Sequence, residues 1–138
     1  RRILLAVKVL LDTNAYPALR QGQELVAEQV RSSEEVLLSI VVVGELLFGF
    51  RNGSRYEENA RALSSFLEDP NVRLLLVTWD TADRFGRISA ALRKKGRPIP
   101  TNDIWIAAHA LEANADLISS DPHFSHIDGL PWVSFPAV

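Results

Sequence analysis

A single α/β domain, with helices on both faces of a central and mostly parallel sheet, is the architecture this sequence predicts. Three observations predict it. Short runs rich in Val, Leu and Ile alternate with longer segments whose apolar residues recur at helical spacing, and that alternation calls for parallel strands joined by right-handed crossover helices. The leading run is nearly all apolar instead of alternating, as a strand buried on both faces would be. No repeat, low-complexity tract or linker interrupts the 138 residues, so the expectation is one domain over residues 1–138, a three-layer α/β/α sandwich with a substantial core.

The first strand lies in VKVLLDTN, residues 7–14. Its apolar part stops abruptly at Asp12, Thr13 and Asn14, which places a carboxylate at a strand's carboxyl end, where the working crevice of an open α/β sheet lies. The same three residues would also serve as an Asx turn capping the next helix. Residues 16–33 read as helical, with Gly22 dividing a short helix from one carrying Leu25, Val26 and Val30. Residues 35–39, EVLLS, form a second strand and Ser39 the turn out of it. In IVVVGELLFGF, residues 40–50, the β-branched residues favour strand, yet Glu45, Phe48 and the break at Gly49 suit a helix from about Val41 to Arg51-Asn52-Gly53.

Residues 54–68 make a polar-faced helix with Ala60, Leu63, Phe66 and Leu67 inward, ended by Asp69-Pro70-Asn71. Residues 72–78, VRLLLVT, are the third strand. Asp80 or Thr81 is then expected to cap a long helix running through Phe85, Ile88 and Leu92 to Gly96. Pro98 and Pro100 enforce an extended link, and Thr101 is the expected N-cap of a helix over residues 102–114. Residues 117–119 form a fourth strand just before Asp121-Pro122, and residues 132–135 a closing fifth.

Composition narrows the chemistry. Cysteine is absent, which excludes disulfides, thiolate metal sites and Cys nucleophiles and suits a reducing, cytoplasmic setting. Any metal must be held by oxygen or imidazole. The net charge of -2 gives no global basic footprint, so nucleic-acid binding has to be local or metal-assisted. Arg1, Arg2 and the apolar residues 3–7 superficially resemble a signal peptide. That run is far too short to span a bilayer, Lys8 interrupts it, and it flows into the first strand. No membrane association is expected.

Four acids fall at neighbouring exits: Asp12 after the first strand, Glu45 just past the second, Asp103 at a helix start and Asp121 after the fourth. Each has an ordinary alternative. Glu45 would serve as a solvated helix residue, Asp103 as a favourable charge at a helix N-terminus and Asp121 as the cap of a turn before Pro122. Glu45 nevertheless sits inside an otherwise apolar run, where acids are seldom buried without partners. If all four converge, their mutual repulsion calls for a cation. Mg²⁺ or Mn²⁺ takes such oxygen ligands while keeping waters, and can activate water and neutralise a phosphodiester.

The segments LLDTN, VVGELLFG, RPIPTNDIWIAAHA and LISSDPHF, in this order and spread over nearly the whole chain, resemble those of a PIN-domain protein of the VapC type, the toxins of bacterial and archaeal toxin–antitoxin pairs. The resemblance implies that Asp12, Glu45, Asp103 and Asp121 bind metal and catalyse, with Thr101 and Asn102 as supporting polar groups and Thr13 or Asn14 bracing Asp12. All four acidic positions are filled, with no sign of a degenerate site. It further implies a Mg²⁺-dependent endoribonuclease, with Mn²⁺ able to substitute, that leaves 5′-phosphate and 3′-hydroxyl ends on RNA. A cognate antitoxin would hold it inactive, and the toxin would pair as a homodimer.

Other residues suggest other chemistries. His109, His123 and His126 suggest metal-free cleavage by a histidine pair, but His109 lies in a helix like a packed or surface residue and the other two in a loop. Ser119-Ser120-Asp121 lacks the glycines of a nucleophile elbow. Asp12 as a phosphoacceptor lacks a second Asp beside it and any lysine after Lys95. A non-catalytic binding module on the same scaffold is the competing class. Arg93, Lys94, Lys95 and Arg97 either complement a helix C-terminus or form a rail for the RNA backbone. Leu46, Leu47, Phe48 and Phe50, with Tyr16 and Leu19, are expected to be mostly core, with part of that surface forming a groove for an antitoxin helix. Trp79, Trp105 and Trp132 are expected to be packing residues.

Overall fold

β1 (Lys8–Leu11) is the axis of a five-stranded sheet. Val9, Leu10 and Leu11 have no solvent exposure, which is why the run needs no polar alternation. The computed structural model describes residues 7–137, and the expectation for residues 1–6 lies outside them. After β1 come α1 (Ala15–Arg20), α2 (Glu24–Arg31), β2 (Glu35–Ser39), α3 (Ile40–Arg51), α4 (Tyr56–Leu67) and β3 (Val72–Leu75). Then follow α5 (Trp79–Lys95), α6 (Thr101–Ala113), β4 (Asp116–Ser119), a 3₁₀ turn (Pro122–His126) and β5 (Trp132–Ser134).

The strand order is β3-β2-β1-β4-β5 and every pairing is parallel. Leu10 stands beside Leu37 of β2 and Leu117 of β4. The chain therefore builds outward from β1 in one direction to β3, then returns to add β4 and β5 on the other side. Right-handed crossovers put α1–α4 over one face and α5–α6 over the other, giving the expected three layers. The direction of winding reverses between β1 and β4, and in open α/β sheets the ligand crevice opens at the carboxyl ends of such a pair. Asp12 leaves β1 there, and Asp121 follows β4 there.

The core joins Leu10, Leu37, Leu38 and Leu117 of the sheet to Val26, Leu63, Ile106 and Phe124. Ala107, Ala108 and Ala110 are fully buried on α6, and their small side chains let that helix lie close against its neighbours. His109 is buried among them. The carbonyl of Leu76 can only accept, so Nε2 donates to it at 3.1 Å and Nδ1 accepts from Ser39 Oγ at 2.8 Å. Burial lowers the pKa of this ring and keeps it neutral. His109 is thus a packed residue committed to structure.

Several expected boundaries move. The third strand stops at Leu75, because its partner β2 ends at Ser39, which pairs with Leu75 and turns directly into α3. Leu76 and Val77 are exposed beyond it. α5 is capped by neither Asp80 nor Thr81 alone: Thr78 is the N-cap, in a capping box with Thr81. α6 begins one residue early, with Pro100 at the cap position and Thr101 inside the helix, making no cap bond. α3 starts at Ile40 because Ser39 Oγ accepts from Val41 N at 3.0 Å, which outweighs the β preference of the run that follows. Trp105 stacks on Phe85 and Trp132 donates from Nε1 to Ser119 O at 2.9 Å, but Trp79, in the first turn of α5, is 86% exposed and is not a packing residue. Phe48 is likewise exposed, whereas Tyr16 and Leu46 are core. Among the described residues, no helix is long and apolar enough to cross a membrane.

Candidate active site

Asp12 is fixed first by its backbone. Its N–H donates to Ile118 O of β4 at 3.0 Å, while its carbonyl accepts from Ala15 N and Tyr16 N at the start of α1. The side chain, only 3% exposed, accepts at Oδ2 from Ser119 Oγ at 2.6 Å and from Asn14 Nδ2 at 3.1 Å. Asn14 occupies the N-cap position of α1 without capping it. Its amide instead reaches across to β4, donating to Ser119 Oγ at 3.2 Å and accepting from Ser120 N at 3.0 Å. Burial raises the pKa of Asp12, the hydrogen bond from Ser119 opposes that rise, and the charges of Glu45 and Asp121 add to it.

Ser119 therefore holds the network together, since its hydroxyl also accepts from Asp121 N at 3.0 Å. Ser119→Ala removes a donor from a buried carboxylate and an acceptor from a backbone amide. It is expected to destabilise the protein by about 1–3 kcal/mol, measured by urea unfolding at neutral pH.

Glu45, in the second turn of α3, is half-buried and is held from two sides. Thr13 Oγ1 donates to one of its oxygens, and Asn102 Nδ2 donates to the other at 3.2 Å. Asp103 sits in the first turn of α6 and is 8% exposed, with Oδ2 buried and lacking any hydrogen-bond partner. Burial foremost, then the close approach of the Asp121 carboxyl, through shared hydrogen bonding as well as charge, and the charge of Asp12 push its pKa up to about 7, and His123 offsets part of this. Asp121 caps the 3₁₀ turn, its Oδ1 accepting from His123 N at 2.9 Å. That turn brings His123 Nδ1 to 3.0 Å from Asp121 Oδ1 and 3.5 Å from Asp103 Oδ2. Asp103, Asp121 and His123 each offer a ligand atom, all within 4.8 Å of one another.

The four acids named from the sequence are thus linked electrostatically, but unequally. Asp103 and Asp121 form the tightest group, Asp12 couples electrostatically to both of them and to Glu45, and Glu45 is reached through Thr13. Thr13, Asn14 and Asn102 each hydrogen-bond an acid, whereas Thr101 is exposed. Two members, Ser119 and His123, are additions. Of the basic cluster, Lys95 is tied to Asp128 at 2.7 Å and to His126 O at 3.1 Å. Arg93, Lys94 and Arg97 are exposed around the C-terminus of α5, just before the link to α6.

These residues fit a divalent cation. The donors are carboxylate oxygens and one imidazole, and Asp103 adds a buried oxygen with no hydrogen-bond partner and a raised pKa.

Comparison with known proteins agrees with the geometry. The PIN-domain profile matches residues 9–130. Ribonuclease VapC1 of Haemophilus influenzae (strain R2866) is 34% identical over 128 residues, covering 89% of this chain and 94% of the relative. The VapBC-1 structure from nontypeable Haemophilus influenzae superposes with a TM-score of 0.81 at 31% identity, covering 93% of this chain and 98% of that one. The fold also matches VapBC2 from Rickettsia felis, solved bound to a DNA fragment from its promoter, with a TM-score of 0.81 at 23% identity over 94% of this chain and 99% of that one. With its strand-end acids gathered at the switch point of a parallel sheet, the chain belongs to the PIN-domain family, among the VapC-type ribonuclease toxins of toxin–antitoxin systems.

Proposed function

We propose that this protein is a Mg²⁺-dependent endoribonuclease, with Mn²⁺ able to substitute, that hydrolyses RNA to leave 5′-phosphate and 3′-hydroxyl ends. The observation that carries the reading is the buried, unpartnered Asp103 Oδ2 beside Asp121, with Asp12 coupled to both acids and to Glu45. Asp12, Glu45, Asp103 and Asp121 are its catalytic and metal-binding residues. When bound, the ion supplies an activated water and neutralises phosphodiester charge. Ser119 and Asn14 lock the Asp12 carboxylate, Thr13 and Asn102 orient Glu45, and Asp103 in its carboxylate form would help hold the ion. Arg93, Lys94 and Arg97, exposed around the C-terminus of α5, hold RNA phosphates in this reading, with Lys95 steadying the turn that carries His123.

The partner in this reading is a cognate antitoxin. The toxin–antitoxin complexes among the similar structures support it, as does a cleft of about 280 Å³ lined by Tyr16, Pro17, Arg20, Phe50, Asn59 and Ala62, whose mixed apolar and polar walls suit an amphipathic helix. The protein acts in the cytoplasm as a homodimer.

Incubation of the purified protein with total RNA tests the activity. Cleavage is expected with Mg²⁺, abolition with EDTA, and ligation-competent 5′-phosphates at the mapped ends. Cleavage that persists in EDTA and leaves 2′,3′-cyclic phosphates would instead establish the metal-free histidine route.

A further inference from the structure

We infer that His123 is a nitrogen ligand of the cation in this crevice, making it a mixed oxygen–nitrogen centre whose selectivity shifts from Mg²⁺ toward Mn²⁺. This rests on the metal-dependent reading above and adds the class of ion that the site selects.

Placement is the first support. Two ligands at right angles around an ion, each about 2.0–2.1 Å from it, lie about 3 Å from one another. His123 Nδ1 stands 3.0 Å from Asp121 Oδ1 and 3.5 Å from Asp103 Oδ2, where a ligand adjacent to both carboxylates belongs. The second support is Asp103 Oδ2 itself. It is buried without a hydrogen-bond partner, and the imidazole at 3.5 Å does not satisfy it, whereas an ion shared with that imidazole would.

The third support is local and lies in the sequence. In Asp121-Pro122-His123 the Asp caps the 3₁₀ turn by accepting from His123 N at 2.9 Å, and Pro122 fixes the backbone between them. Phe124, next in the chain, is 1% exposed and anchors the turn in the core. The backbone therefore sets His123 beside the acids independently of any ion, and its ring nitrogen stands near both carboxylates. Its side chain is 48% exposed, so it can be replaced without opening a cavity.

Ligand chemistry then sets the selectivity. Mg²⁺ takes oxygen donors and sheds water reluctantly; Mn²⁺ shares that preference for oxygen but, as a first-row transition ion, accepts an imidazole nitrogen more readily than Mg²⁺ does. A carboxylate-only crevice would bind both ions through the same contacts; an added nitrogen strengthens Mn²⁺ more than Mg²⁺.

The test titrates the full chain and its His123→Gln variant with Mn²⁺ alone and Mg²⁺ alone by calorimetry, and records pulsed EPR of the Mn²⁺ complex. In the unmodified protein, ¹⁴N coupling from a directly bound imidazole is expected. In His123→Gln that coupling is lost and Mn²⁺ affinity falls by roughly tenfold or more, a loss at least as large as that from removing a ligand's hydrogen-bond partner, with a smaller change for Mg²⁺. Tight Mn²⁺ binding without ¹⁴N coupling, or equal losses for the two ions, overturns the inference and leaves the metal-dependent ribonuclease standing. Failure of both ions to bind the unmodified chain overturns both.

Discussion

Asp12→Asn is expected to abolish the proposed RNA cleavage while the protein stays folded. The loss should be on the order of a thousandfold or more, because in the proposed mechanism several kcal/mol of charge stabilisation by a bound cation would depend on this carboxylate. The fold should survive for reasons visible around the residue. Asn keeps the shape of Asp, the Ser119 hydroxyl can rotate to suit either amide atom, and the backbone bonds to Ile118 O and from Ala15 N are untouched. Burial already resists the charge at this position, so removing it leaves stability unchanged or higher. Cleavage of total RNA and antitoxin binding, measured side by side, check the prediction. An unaltered biological effect from the variant would favour a non-catalytic binding module.

The second large effect concerns stability and pH. Asp103 has a pKa of about 7 in the folded protein against an ordinary value of 3.8, so the folded state binds its proton more tightly than the unfolded state does. Without metal, stability is therefore lost as pH rises from about 4 to about 7, and the full penalty remains above that. Asp103→Asn abolishes this penalty and should raise the melting temperature of the metal-free protein at about pH 8 by roughly 5–10 °C, the gap narrowing toward about pH 5. Mg²⁺ should act in the complementary sense. It should stabilise the unmodified protein at about pH 8, do so far less at about pH 5 where it competes with the proton, and leave Asp103→Asn unaffected. Equal melting temperatures for the two proteins across this range would show that burial of Asp103 imposes no such cost.

The acids were legible in the sequence because each follows an abrupt change of pattern: Asp12 ends a Val/Leu run, Glu45 interrupts an apolar helix, Asp103 follows two prolines and Asp121 precedes one. A strand's carboxyl end and a parallel sheet then suffice to bring Asp12 and Asp121 together, while Glu45 and Asp103 arrive on α3 and α6. What escaped is what depends on pairing across the sheet. Ser119 looks like an ordinary strand residue until β4 is placed beside β1, where its hydroxyl meets Asp12. His123 did carry a local signal, since an Asp-Pro-His turn returns the third residue to the first, but a loop histidine gives no hint that Asp103 lies opposite. Thr101 misled for the converse reason: a Thr before a helix usually caps it, yet Pro100 already has the extended backbone of the cap, φ -55 and ψ 141. Trp79 shows the limit of reading burial from residue type, because the edge strand before it had already lost its partner at Leu75.

Manganese-soaked crystals put the central claim to its most direct test. Four carboxylates from four separate elements are expected to surround an anomalous difference peak bounded by Asp12, Asp103 and Asp121, with Glu45 facing it. A map with no peak there, and with those carboxylates turned away from one another, would contradict it.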